Sequence, residues 1–253
     1  MSRVFNGSAG YLRNTTDNIG ITAYPFTIGF WVKASVLANN TLVDYRNDSV
    51  GVKYFRCNQL NTGFLRVQAV QSATASVDAQ SAYSIDTWVP FIAVYNTNLA
   101  RVDGPGTTDS ASSTTAQTYV TNSSPQIRFG SAIGGVPING KMAHLTVWNV
   151  ALSEANIDSF LAADDPDTID AANQTRYWDL LTTSLTDSRN SVVLSEASTT
   201  FDGADNPVIS SGATPDIIGD ISVGFLVQST FNPAAQGTGG GASKKNKQAY
   251  LIY

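Results

Sequence analysis

With 253 residues, 42% of them hydrophobic, the chain can bury a sizeable core, and global disorder is not expected. Only 14% of residues are charged and the formal net charge is −5, which argues against a broad nucleic-acid footprint. One cysteine, Cys57, excludes an internal disulfide, and a single histidine, His144, leaves too few ligands for a His/Cys zinc site.

The chain opens on "MSRVFNGSAGYL", which lacks the apolar run of a signal peptide, so export through an N-terminal signal is not expected. No stretch approaches the roughly 18 apolar residues that span a bilayer, and membrane insertion is not expected either. The first strong strand signal is "YPFTIGFWVKA" (24–34): Phe26, Ile28, Phe30 and Val32 share one face and Trp31 the other. "TLVDYR" and "VGVKYFRC" follow across a polar "NDS" turn, with Cys57 read as a small buried or half-buried residue. "GFLRVQAV" (63–70) has high β-propensity. "TWVPFIAVYN" (87–96) is nearly all apolar, as in a strand covered on both faces, and Pro90 within it marks a strand start or an edge.

Residues 105–126 are small, β-branched and low in charge, consistent with a strand between loops. "IRFGSAIGG" then runs into a glycine turn. In "KMAHLTVWNVALSEANIDSFLAADDP" (141–166), Ala143, Leu145 and Val147 alternate with Met142, His144, Thr146 and Trp148. The period then changes. Leu152, Ile157, Phe160 and Leu161 form a helical stripe, Ser153 is a suitable N-cap, and Pro166 lies beyond the end, so a helix over about 153–163 is expected to clamp one open end of a sandwich. "TRYWDLLTTSLTDSRNSVVLS" (175–195) reads as strand, turn and strand, and "TTFDGADNPVI" (199–209) as a closing strand.

The texture changes after about residue 211. "IIGDISVGFLVQSTF" is apolar, "NPAAQGTGGGASKKNKQ" has linker composition, and the end, Tyr250, Leu251, Ile252 and Tyr253, is apolar again. Residues 1–211 are therefore read as one β domain and 212–253 as an extension. Such an extension suits anchoring or oligomerisation, with Lys244, Lys245 and Lys247 able to meet an acidic surface, or equally a segment that folds back on its own domain.

"VFNGSAGYLRN", "FTIGFWVKAS", "DTWVPFIAVYNTNLARVDG" and "GKMAHLTVWNVALSEANIDSFL", in that order, resemble a laminin G (pentraxin-like) domain of the concanavalin A-like lectin/glucanase superfamily. "YWDLLTTSLTDSRNSVVLS" and "DNPVI" look like its closing strands, so the resemblance covers roughly residues 3–209. It implies an all-β fold: an antiparallel jelly-roll β-sandwich in which the corner at 141–163 is architectural. His144 is then a structural or surface residue, and no G-x-S-x-G elbow offers a nucleophile.

The superfamily includes glycosidases, whose chemistry needs two carboxyl groups at fixed separation. The only glutamates, Glu154 and Glu196, have no carboxylate at matching spacing, and no catalytic residue is assigned. No cofactor is expected, although calcium is the ion that Asp164, Asp165, Asp167 and Asp170 could hold; such a loop is usually just solvated. Exposed aromatics near turns are the candidates for stacking on sugars: Tyr11, Tyr24, Tyr45, Tyr83 and Tyr119. A lectin-like domain without an export signal suggests a bacteriophage virion protein, either capsid decoration or a head or tail fibre component. It would be made in the host cytoplasm and exposed on the particle. Its partners would be a major capsid or tail protein, copies of itself as a homo-oligomer, and a host-surface glycan. A free-standing carbohydrate-binding module is the alternative, and a polysaccharide hydrolase the third reading.

Overall fold

The computed structural model describes residues 2–15, 19–46, 53–70, 74–78, 84–97, 99–104, 110–113, 119, 125–132 and 135–209. By compactness the chain divides into Met1–Pro215 and Asp216–Tyr253. The second unit lies outside the described residues, as does the boundary expected at 211/212.

In chain order the elements begin with β1 (Ser2–Asn6), β2 (Tyr11–Asn14), β3 (Phe26–Ala34), β4 (Asn40–Arg46), β5 (Tyr54–Gln59) and β6 (Leu65–Val70). There follow β7 (Thr74–Asp78), β8 (Val89–Asn96), β9 (Leu99–Asp103), β10 (Ser110–Ser113), β11 (Gln126–Phe129) and β12 (Asn139–Trp148). The helix α1 (Glu154–Leu161) precedes β13 (Gln174–Trp178), β14 (Ser195–Ala197) and β15 (Thr199–Asp202). One sheet runs β10-β9-β8-β3-β12-β1-β15 with β13 beside β12; the other runs β14-β2-β11-β4-β5-β6-β7. This is the antiparallel jelly-roll sandwich implied by the sequence.

Alternation within each strand builds the core. Phe26, Ile28, Phe30 and Val32 point inward from the first sheet and meet Leu12, Val43, Tyr45, Phe55, Cys57, Val67, Ile127 and Phe129 of the second. Phe26 stacks on Tyr95 and meets Phe55 edge-on, both at 4.8 Å between centroids. Each such buried aromatic or aliphatic chain stabilises the fold by about 1.5–3 kcal/mol. Pro90 is the second residue of β8, beyond the end of the ladder with β9, which begins at Ile92. It therefore marks a strand start.

The helix does not clamp an open end. Ile157 and Phe160 are buried with Trp31, Ile92, Val94, Ala143 and Trp148, which form a second apolar cluster apart from the inter-sheet core. The outward side of β3, β8 and β12 is apolar and needs a cover, and α1 lies over it. Gly29 in β3 leaves room for this packing: a Cβ there would stand 3.0 Å from the rings of both Trp148 and Phe160. Ser153 caps the helix as expected, its side chain accepting from the Asn156 amide.

β12 is where the sequence pattern misleads. Its first half pairs with β1 and its second with β13, and the register with β3 slips between Ala143 and Thr146. His144 occupies the slip with φ 52°. This extra residue inverts the alternation, so Met142 joins Leu145 and Val147 in the inter-sheet core while Ala143 joins Trp148 under the helix.

The end of the domain is tied to the first sheet through polar contacts. Asp205 accepts hydrogen bonds from Lys33 Nζ (2.8 Å), Lys141 Nζ (2.7 Å) and Trp88 Nε1 (3.0 Å). Burial alone would raise the Asp205 carboxyl, but these donors hold it well below the usual carboxylate range. No helix among the described residues is long and apolar enough to cross a membrane.

Candidate functional site

The four aspartates after α1 do not converge. Asp165 accepts from the Asp167 amide (3.0 Å), Asp170 accepts from Asn173 Nδ2 (2.9 Å), and Asp167 pairs with Arg189 at 2.9 Å. Among the described residues no group of three or more His, Cys, Asp or Glu side chains could hold a metal ion. Asp164, Asp165 and Asp170 line an open cleft of about 340 Å³ with Asn156 and Ser159, but the carboxylates of Asp165 and Asp170 serve local turns.

The candidate tyrosines separate into two places. Tyr45 is 1% exposed and packs within the core, which removes it as a stacking surface. Its hydroxyl meets Tyr119 Oη at 3.0 Å, and Tyr119 in turn donates to the Ile21 carbonyl (3.1 Å). Tyr24 is half-buried against Phe26, Phe55 and Tyr119, and burial raises its hydroxyl pKa. Tyr83, Lys244, Lys245, Lys247, Tyr250, Leu251, Ile252 and Tyr253 lie outside the described residues.

Tyr11 is placed differently, on the outward face of the second sheet. Register fixes a row across that face: Ser195, Arg13, Arg128, Asp44, Arg56 and Gln68 stand opposite one another on successive strands. A parallel row holds Gln126, Arg46, Tyr54 and Val70, and another holds Thr41, Asn58 and Arg66. The intervening residues, Leu12, Ile127, Val43, Phe55 and Val67, face the core. Five of the chain's nine arginines therefore occupy one face of a protein with net negative charge.

Within this face Asp44 is the clamped carboxylate, 1% exposed, accepting from Arg46 Nε and Arg56 Nε at 2.9 Å each. Arg56 lies 3.8 Å above the Tyr54 ring. The guanidiniums of Arg128 and Arg13 lie over Tyr11 at 4.7 and 5.7 Å. Burial lowers the Arg128 pKa, and its Nε is buried without a hydrogen-bond partner among the described residues. The face thus offers two aromatic rings, amides and forked cations, a set suited to binding a polar ligand rather than breaking a bond.

The groups with catalytic potential are engaged elsewhere. Glu154 is paired with Arg101, which lowers its pKa, and Glu196 with Arg3 at 2.8 Å. His144 is 3% exposed; its backbone N–H donates to the Asp179 carbonyl and its Nδ1 meets Tyr177 Oη at 2.8 Å. Burial lowers its pKa to about 3. Burial likewise pushes the Cys57 thiol up to about 12, beside Tyr95 Oη at 3.5 Å.

Sequence reading chose Tyr11 and missed Tyr54 and the arginines. Arg46 and Arg56 lie on the consecutive strands β4 and β5, whereas Arg13 and Arg128 are far from them and from each other in sequence, and strand order brings all four to one face. The usable signal is a repeated pattern, an arginine beside an inward apolar residue in "YLR", "DYR", "YFR" and "QIR".

The laminin G profile of the concanavalin A-like lectin/glucanases superfamily matches residues 6–158. The chain belongs to that superfamily. No curated protein matches this superfamily member. Among solved structures it is similar to a candidate carbohydrate binding protein from Bacteroides ovatus, at 17% identity and a TM-score of 0.62, covering 83% of this chain and 62% of that one. It is also similar to domain 4 of the extracellular arabinanase AbnA from Geobacillus stearothermophilus, solved with arabinotriose (15% identity, TM-score 0.51, 63% of this chain, 76% of that one). A pentraxin from Limulus polyphemus gives 14% identity and a TM-score of 0.50, with 63% and 81% covered. At these identities the likeness is one of fold.

Proposed function

We propose that the sandwich is a non-enzymatic carbohydrate-binding domain whose ligand lies on the outward face of the second sheet. The observation that carries this reading is the row of polar and aromatic groups there, with Tyr11 and Tyr54 as stacking rings and arginines as donors. Superfamily membership and the fold shared with the Bacteroides ovatus and arabinanase domains support it. Binding without turnover is supported by the engagement of both glutamates in ion pairs and by the burial of His144. A glycan array probed with the full chain tests the reading: a defined set of bound glycans, lost in Tyr11→Ala and Tyr54→Ala, is the expected result. Sugar release from a bound polysaccharide would instead establish a hydrolase.

The finer reading we propose is display on a virion, as a capsid decoration or a head or tail fibre component. Residues 212–253 would anchor the domain to a capsid or tail protein or join copies of it, leaving the sandwich to meet host-surface glycans. The linker composition of 232–248 and the apolar tip Tyr250 to Tyr253 support this arrangement. A chain truncated after residue 231 is expected to lose particle association while keeping glycan binding. Retained assembly would remove the anchoring role, and a soluble glycan binder with no particle association at full length would favour a free-standing carbohydrate-binding module.

A further inference from the structure

Arg13 and Arg128 stand directly opposite on adjacent antiparallel strands, a like-charge arrangement that costs stability. The carboxylate next along the row, Asp44 opposite Arg128, gives one oxygen to Arg46 and the other to Arg56. Among the described residues neither Arg13 nor Arg128 forms an ion pair with a carboxylate; the Asp44 charge reaches Arg128 across the ladder, but its two oxygens are bonded by Arg46 and Arg56. Arg13 and Arg128 instead lie over one ring, that of Tyr11. A guanidinium with a buried, unpartnered Nε, held beside a second cation on an aromatic platform, is a poor structural device. It is a good receptor for an anion, because two forked guanidiniums match the oxygens of a carboxylate or sulfate in bidentate geometry.

We propose that the ligand of this face is an anionic saccharide, and that Arg13 and Arg128 bind its oxyanion while Tyr11 carries the adjoining ring. The inference rests on the glycan-binding reading above and narrows it to acidic sugars. The anion neutralises the opposed cations, so the face is incomplete until it is occupied. Arg56 and Tyr54, farther along the sheet, extend the same surface toward neighbouring sugar units.

The test is calorimetric titration of the full chain, at one fixed ionic strength, with oligogalacturonate, its fully methyl-esterified form, dextran sulfate and neutral dextran. Esterification keeps the sugar and removes the charge. Oligogalacturonate or dextran sulfate is expected to bind at least about tenfold more tightly than its uncharged counterpart. Binding of the uronate alone assigns a carboxylate, and binding of the sulfated polymer alone assigns a sulfate. Arg128→Gln and Arg13→Gln should each weaken binding about ten- to a hundredfold. Arg13→Gln should do so with an unchanged or raised Tm, because it removes the repulsion.

Equal binding of the ester and the acid would overturn the anionic assignment while leaving the glycan reading intact. Equal binding of single-stranded DNA would reduce the face to a general polyanion surface and sink the proposal. Unchanged affinity in both arginine variants would also refute it. If none of the four polymers binds, the anionic proposal fails, and the glycan array decides the broader reading separately.

Discussion

Lowering the pH from 7.5 to 5 should destabilise this protein through one residue, His144. In the folded state its ring is buried, and its pKa is lowered to about 3. In the unfolded chain an exposed histidine titrates near about 6.5. Acidification through that value protonates only the unfolded state, so stability is complete above about pH 6.5 and falls as the pH drops toward the folded value. At about 1.4 kcal/mol per unit, the 1.5 units between the unfolded pKa and pH 5 correspond to a loss of about 2 kcal/mol. The folded value lies well below pH 5, so the size of the loss is set by the unfolded pKa.

The pH window lies above the lowered carboxylates, and Asp179, which burial raises, titrates in parent and variant alike and so drops out of their difference. Asp205 has a folded pKa below the usual range, so its contribution is present above about 3.8 and lost only at lower pH. The chain has no second histidine to confuse the slope. The control is His144→Asn, because asparagine is among the few residues that tolerate a positive φ such as the 52° here. Urea unfolding at pH 7.5 and 5 should show a loss larger by about 2 kcal/mol in the parent than in the variant, whatever the variant's absolute stability. A variant that changes equally across this interval would refute the buried neutral imidazole.

Asp205→Asn should destabilise by about 1–2 kcal/mol at neutral pH, because it weakens charge-assisted bonds to Lys33 and Lys141 at a partly exposed site. In urea titrations the deficit should shrink as the pH falls from about 3.8 toward the lowered folded value. Phe160→Ala should cost about 3–5 kcal/mol and release α1 from Trp148, which its ring meets edge-on at 6.0 Å. Loss of near-ultraviolet tryptophan dichroism would report that release. Cys57 should resist a thiol reagent at pH 8 until the protein is unfolded, since its thiol is buried with a pKa near 12. Labelling at the rate of a free thiol would show the core open. Millimolar calcium should leave Tm unchanged, because the aspartates after α1 do not gather into a site; a rise in Tm would refute that.

The sandwich is legible in the sequence because core strands write their burial as alternation. Phe26, Ile28, Phe30 and Val32 show it directly, and Ser153 with Ile157 and Phe160 announces the helix. Two features resist such reading. Alternation across 142–148 cannot reveal a bulge, because a residue entering the left-handed region leaves no trace in hydrophobicity; the faces of Met142 and Ala143 are therefore exchanged. The position of α1 is also hidden, because an apolar stripe says that a helix is covered without saying by what. The candidate site is harder still. Aromatic residues near turns attract attention, yet Tyr45 is core, whereas the arginine row is assembled from strands that are neighbours only after folding.

The two sheets divide the work of the domain, and the division follows from which outward face is roofed. The first sheet turns Trp31, Ile92, Val94 and Trp148 outward, and these are buried with Ile157 and Phe160 of α1, so this part of its face is closed to a ligand. The second sheet turns arginines, amides and tyrosines outward from strands whose other side is mostly apolar. Leu12 beside Arg13, Ile127 beside Arg128 and Phe55 beside Arg56 show the principle within single strands: the inward neighbour holds the fold while the outward one is free to vary. A fold under selection for stability alone would not leave two cations opposed across a ladder when a glutamine at either position would relieve them. Their juxtaposition is therefore read as a recognition feature, a local instability that a bound anion removes and that a solvent-facing sheet can tolerate because its core is built elsewhere.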